Sequence, residues 1–177
     1  MLYLLQHAIY PFSLDPWVFR LPVAALGVAL VLAVHRAGHR LLGVRAALLA
    51  AGLMAIHPSA VAWSQTVRAY VPAALLLVLG LPHAVALARR ATARDALWFA
   101  VTAALACWTH YLSLVFLSAA FAAIAACRRR DPRSLGIAAM AAAGIAVAFL
   151  PLAPFFLSDL GGKQGSGFAT GYGQALL

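Results

Sequence analysis

Six apolar stretches, three of their five junctions studded with arginine, constrain this chain more than anything else in it. The stretches run about Val18–Val34, Ala46–Trp63, Tyr70–Ala88, Ala96–Trp108, Tyr111–Cys127 and Ser134–Leu157. A bilayer-spanning helix needs ~20 apolar residues, with a range of about 17–25, and most of the stretches fit. Composition points the same way: of 177 residues, 65% are hydrophobic and 10% charged, and the mean hydropathy is +0.94. A typical soluble domain carries roughly 25% charged residues. This chain cannot cover a soluble globule with polar surface, which excludes a soluble enzyme, a nucleic-acid-binding domain and a disordered tail. The sequence therefore reads as an all-α, polytopic membrane protein of about six transmembrane helices.

Ala96–Trp108 is short for a span, and two topologies compete for residues 96–127. One continuous helix would be roughly 48 Å long, against a hydrocarbon core of ~30 Å. The alternative is a short helical hairpin with Thr109-His110-Tyr111 at its tip. Basic residues decide between them. Arg36, Arg40 and Arg45 lie in the loop His35–Arg45, and Arg89, Arg90 and Arg94 in Arg89–Asp95. Arg128, Arg129, Arg130 and Arg133 lie in Arg128–Arg133, which leaves only Arg20, Arg68 and Lys163 elsewhere. With the hairpin, all three loops fall on one side, as the positive-inside rule requires. The expected arrangement has the basic loops in the cytoplasm and both termini outside, in an inner or plasma membrane. Trp17, Trp63 and Trp108 then mark outer span ends and Trp98 an inner one. The net charge of +9 is a topology signal more than a sign of nucleic acid.

Residues 1–157 form the expected transmembrane core, and residues 158–177, with GGKQGSGFATGYG, a Gly-rich outer loop. The loop lacks the GxxxxGK[ST] spacing of a phosphate loop. Cys107 and Cys127 fall at opposite ends of adjacent stretches, too far apart for a disulfide. No Cys/His spacing suggests a metal and no cofactor is indicated. The N-terminus has neither a basic n-region nor a cleavage site, so it does not read as a signal peptide.

The outer side is nearly free of charge, which makes its polar residues informative. In Ser64-Gln65-Thr66-Val67-Arg68-Ala69-Tyr70, a continuous helix would put Ser64 and Arg68 on one face. Arg68 is a basic residue on the disfavoured side. A guanidinium fork there suits a lipid phosphate, while position alone favours a snorkelling anchor. His110 beside Tyr111 reads as a phosphate donor or proton relay, or as an interfacial pair without chemistry. Pro58 is expected to kink or end the second span, with His57 as a packing residue. Asp15 and Asp159 are the only outer carboxylates, so a general base outside would have to be one of them. Asp15 precedes Pro16 and reads as well as a turn or cap residue.

The segment HPSAVAWSQTVRAYVPAALLL resembles the P…SQ-x-x-R-x-Y segment of GT-C membrane glycosyltransferases of the protein-mannosyltransferase-like superfamily. Pro58, Ser64, Gln65, Arg68 and Tyr70 match in order. Trp108-Thr109-His110-Tyr111-Leu112 is similar to the family's T-H-Y segment. Leu2-Tyr3-Leu4-Leu5 and Phe19-Arg20-Leu21-Pro22 resemble its L-Y-x-L-L and R-L-P elements. The resemblance implies sugar transfer from a polyprenyl-phosphate donor to a lipid, glycan or protein hydroxyl at the outer face, as in cell-envelope glycosylation. By motif match Arg68 is the phosphate candidate, with Ser64, Gln65, Tyr70, His110 and Tyr111 near it. The family's acidic motif should precede Leu2-Tyr3, so Asp15 is a weak match for the base, and the chain reads as the central part of such an enzyme. Two other classes compete: a transporter or flippase component and a non-catalytic membrane scaffold. Ionisable residues at span ends, without paired halves, favour the glycosyltransferase over a transporter.

Overall fold

A computed structural model describes residues 16–66, 68–154 and 157. These residues are helical, with no strand among them, and the helices run up and down between two ends of a bundle. They are α1 (Pro16–Leu42), α2 (Val44–Ile56), α3 (Pro58–Gln65), α4 (Tyr70–Arg89), α5 (Ala93–Thr109), α6 (Ser113–Arg128) and α7 (Pro132–Phe149). A 3₁₀ turn, Leu150–Leu152, follows α7. The polytopic all-α architecture is as expected, but the span count is lower than six. Among the described residues, three helices are long and apolar enough to cross a membrane: Arg20–Leu42, Tyr70–Arg89 and Pro132–Leu152. A fourth is reached if α2 and α3, bent by 58° at their junction, count as one broken span. The physical reason lies in length. α5 has 17 residues and α6 has 16, so each covers only about 24–26 Å of a ~30 Å core.

The bend between α2 and α3 sits where Pro58 predicts it. Proline has no N–H for the carbonyl of Met54, and its ring disfavours the helical conformation at the preceding residue. His57 accordingly turns extended, with φ −66° and ψ 122°. It is exposed at the bend, not packed as expected.

Residues 96–127 form the hairpin, with the helix broken at His110–Leu112. Close contacts fix the directions. His83 meets Asp95, Gly80 meets Thr102, and Tyr70 meets His110, so α4 and α5 are antiparallel. Phe99 meets Phe121, and Trp108 meets Ala148, so α6 runs against α5 while α7 runs with it. The α4–α5 and α6–α7 turns therefore share one end of the bundle, called here the arginine end. A direct bond joins them: Arg128 Nε donates to the Ala88 carbonyl at 2.8 Å. That carbonyl belongs to the last turn of α4, where no helical N–H is available. Gly38 packs on Ala47 and Gly27 on Ser64, which brings the α1–α2 turn to the same end.

The larger core lies among α4–α7, around Leu87, Phe99, Cys107, Leu117, Ile124 and Ile145. A smaller one joins α1 to α4 through Val23, Leu30 and Val71. Many core residues are alanines, which allows close backbone approach. The outward faces carry Leu48, Leu49, Leu53, Ile56, Met140 and Val147, each more than half exposed. Such a surface would be costly in water and suits lipid. Cys107 is buried, Cys127 is exposed, and both are free thiols.

The acids at the arginine end, Asp95 and Asp131, bond mainly to neighbouring hydroxyl, imidazole and N–H groups. The Asp95 carboxylate accepts from Thr92 Oγ1 at 2.6 Å and lies 3.0 Å from His83 Nδ1. The Thr92 hydroxyl first, and His83 next, hold its pKa below the usual carboxylate value. Its stabilising effect is therefore present above that value and fades as pH falls through the lowered one. Asp131 caps α7 by accepting from the Ser134 N–H at 3.2 Å, and its pairing with Arg128 is longer, 3.7 Å.

Gly80 offers a direct check on the α4–α5 packing. A Cβ there would lie 2.6 Å from Thr102 Oγ1, which is itself held by the Trp98 and Phe99 carbonyls. Gly80→Ala should destabilise the protein by about 1–3 kcal/mol. Adding Thr102→Ala should restore most of that in detergent unfolding experiments. A double variant no better than the single one rejects this contact.

Candidate functional site

The end opposite the arginines is built by the α3–α4 and α5–α6 turns and the start of α1. Here four rings form a chain. The Trp63 and Tyr70 centroids are 5.3 Å apart, and Tyr70 meets His110 edge-on at 5.1 Å. His110 meets Tyr111 edge-on at 5.6 Å. Edge-to-face pairs at these distances suit the ring quadrupoles. Two segments 40 residues apart in sequence, at Tyr70 and His110, thus meet at one point.

Local sequence explains the geometry. Thr66 donates both its N–H, at 3.3 Å, and its hydroxyl, at 3.2 Å, to the Trp63 carbonyl. Threonine side chains compete in this way with the helical ladder. Thr66 turns extended, and α3 ends at Gln65. Ser64 and Arg68 therefore do not share a continuous helix, contrary to the expectation of a common face. The break lets α4 start at Tyr70 and turns that ring toward His110. His110 is itself extended, with φ −155° and ψ 112°, which ends α5. The Ser113 hydroxyl, buried, bonds back to the Ala106 carbonyl at 3.3 Å. Trp108 Nε1 donates to the Ala148 carbonyl at 2.7 Å, so the turn is tied to α7 as well.

Ser64 is half-buried and donates to the Val61 carbonyl at 2.7 Å. Its Cβ sits where a Cβ on Gly27 would approach to 2.7 Å, so only glycine fits at that point of α1. Gln65 and Arg68 are exposed. Among the described residues no carboxylate lies within ion-pair distance of Arg68. Arg20 instead lies over the Trp17 ring, 5.6 Å from its centroid. Asp15, the candidate base, and Asp159 fall outside the described residues, as do Leu2–Leu5 and the expected loop 158–177. Among the described residues no group of three His, Cys, Asp or Glu is arranged to hold a metal.

A cleft of about 480 Å³, which no sequence pattern signalled, lies between α1 and the α2–α3 bend. Its walls are apolar, with Val28, Val31, Met54 and Val61 among them, and its polar linings among the described residues are Ser64 and Gln65. The residues that could have revealed it are Gly27 and Pro58, one opening close approach and the other bending the wall. Arg68 follows three residues beyond Gln65. The end as a whole offers a fixed cation, an amide, a phenol and an imidazole beside an apolar cleft.

The sequence pattern of the dolichyl-phosphate-mannose-protein mannosyltransferase family matches residues 1–157. The chain belongs to that family. No curated protein and no solved structure matches it. Family membership makes this a membrane-embedded glycosyltransferase of the GT-C type that uses a lipid-linked sugar. The glycosyltransferase reading thus stands above the transporter and scaffold alternatives.

The ring chain gives a quantitative check on the site. Tyr70→Leu and His110→Leu should each destabilise the protein. The pair should show a coupling of about 0.5–1.5 kcal/mol in a double-mutant cycle. Strict additivity would mean that the two segments do not meet.

Proposed function

We propose that the aromatic end binds a polyprenyl-phosphate sugar and passes the sugar to an acceptor hydroxyl on a lipid, glycan or protein. One observation carries the reading. The Tyr70–His110 contact joins the S-Q-x-x-R-x-Y and T-H-Y segments, beside an Arg68 with no carboxylate partner among the described residues. The apolar cleft suits a polyprenyl chain, with Ser64 and Gln65 toward the phosphate. As the bond from sugar to phosphate breaks, negative charge grows on the departing phosphate. A guanidinium carries a permanent charge and two parallel donors. Aimed at that phosphate, it favours the transition state over the ground state. Gln65 and His110 supply further donors, and Tyr70 and Tyr111 flank them. The acceptor hydroxyl loses a proton as it attacks, and Asp15 is the candidate base for that proton.

In this reading the aromatic end faces outside, the arginine end faces the cytoplasm, and both termini lie outside. The membrane is an inner or plasma membrane. The charge asymmetry supports this orientation, since ten of the thirteen basic residues belong to the segments His35–Arg45, Arg89–Asp95 and Arg128–Arg133.

Two experiments test it. In membranes carrying the chain, Arg68→Ala should slow transfer from a polyprenyl-phosphate sugar about 10²–10³-fold, the scale of losing one transition-state donor. Arg68→Lys should retain more, because it keeps charge and loses only the fork. Unchanged turnover in Arg68→Ala would remove Arg68 from the phosphate role. For orientation, in a Cys107→Ser/Cys127→Ser background, Gln65→Cys as the single cysteine should label from outside intact cells. A single cysteine at Arg129 should label only after permeabilisation, and the reverse pattern refutes the topology.

A further inference from the structure

We propose that the joined α4–α5 and α6–α7 turns form a headgroup site for an acidic phospholipid, built from Arg89, Arg90, Arg129 and Arg130. Three observations converge on it. The first is juxtaposition. The hydrogen bond from Arg128 to the Ala88 carbonyl places two arginine pairs, one flanking each partner, on neighbouring turns. All four of these arginines are exposed.

The second is the state of the acids. At this end the described carboxylates are Asp95 and Asp131. Asp95 is taken up by Thr92 and His83. Asp131 is taken up by Ser134 and, at 3.7 Å, by Arg128. None of the four arginines has a described carboxylate within ion-pair distance. Like charges on two neighbouring turns repel one another, and an external anion relieves that repulsion.

The third is depth. The two turns end α4 and begin α7, both of spanning length, so they lie at the level of lipid headgroups. The phosphodiester of an anionic lipid is the abundant partner there, and basic pockets between helices take such headgroups. Arginine matches phosphate oxygens in pairs, which lysine cannot do. The first turn is also fixed before any ligand arrives. The Arg90 N–H bonds the Ala86 carbonyl at 2.7 Å, and Ala91 holds a left-handed φ of 51°.

The test uses the purified full chain in a neutral detergent, with pyrene-labelled phosphatidylglycerol and phosphatidylcholine as probes. Tryptophan-to-pyrene transfer reads association, and Trp98, near this end of α5, is a native donor. Phosphatidylglycerol should associate about tenfold or more tightly than phosphatidylcholine. The variant R89Q/R90Q/R129Q/R130Q should lose that preference. The control R36Q/R40Q/R45Q/R94Q removes the same charge elsewhere at this end and should keep it. If the first variant does not fold, its all-lysine counterpart preserves the charge and should weaken the preference several-fold. Equal loss in the control, or an unchanged preference with four lysines, would mean diffuse charge and overturn the site. Displacement of the lipid by millimolar glycerol phosphate, or by a short oligonucleotide, would show a soluble-anion or nucleic-acid surface and overturn it too.

Discussion

Hydrocarbon offers no partner to a peptide N–H or carbonyl, and every feature of this bundle follows from that lack. Helices satisfy the backbone internally, so irregular chain is driven to the two ends. The turns at 42–44, 90–92 and 129–131 collect at one end, and those at 66–69 and 110–112 at the other. Among the described residues the one interruption between the ends is the α2–α3 bend at His57–Pro58. Its effect is to open the cleft beside Ser64 and Gln65. The departure from regular helix and the candidate site thus have a common origin.

Electrostatics then divides the two ends. At the arginine end each described acid is committed to a nearby donor, Asp95 to Thr92 and His83, Asp131 to Ser134. Arg128 pairs with Asp131 at 3.7 Å, and Arg89, Arg90, Arg129 and Arg130 have no described carboxylate within ion-pair distance. At the aromatic end charge is scarce, and Arg68 stands without a described counter-ion. A cation without a described acidic partner, at an end with rings and an apolar cleft, is a setting in which a phosphate meets little competition.

Much of this was legible in the sequence, for physical reasons that can be named. The hairpin at 96–127 could be read because one long helix would have sent Arg90 and Arg129 to opposite sides. The bend at Pro58 could be read from a missing N–H. The meeting of Tyr70 with His110 was implied by resemblance alone, since no local pattern reports a contact across 40 residues. Three things were not legible. Thr66 breaks the helix through a side-chain bond to Trp63, which a helical reading of Ser64–Tyr70 does not anticipate. The span count was overestimated because apolar runs do not reveal that α5 and α6 stop short. The cleft depends on how closely Gly27 and Ser64 approach, and sequence spacing does not encode that.

The Trp108 indole bond to Ala148 bears on how a ligand would be received. It reaches across 40 residues to anchor the tip that carries His110, while Ser113 holds the same tip from below. The ordering of that tip is thus completed when the chain folds. A substrate arriving there does not have to freeze it, and more of the contact energy is left to appear as affinity. Residues that never touch a ligand can therefore govern how tightly it is held.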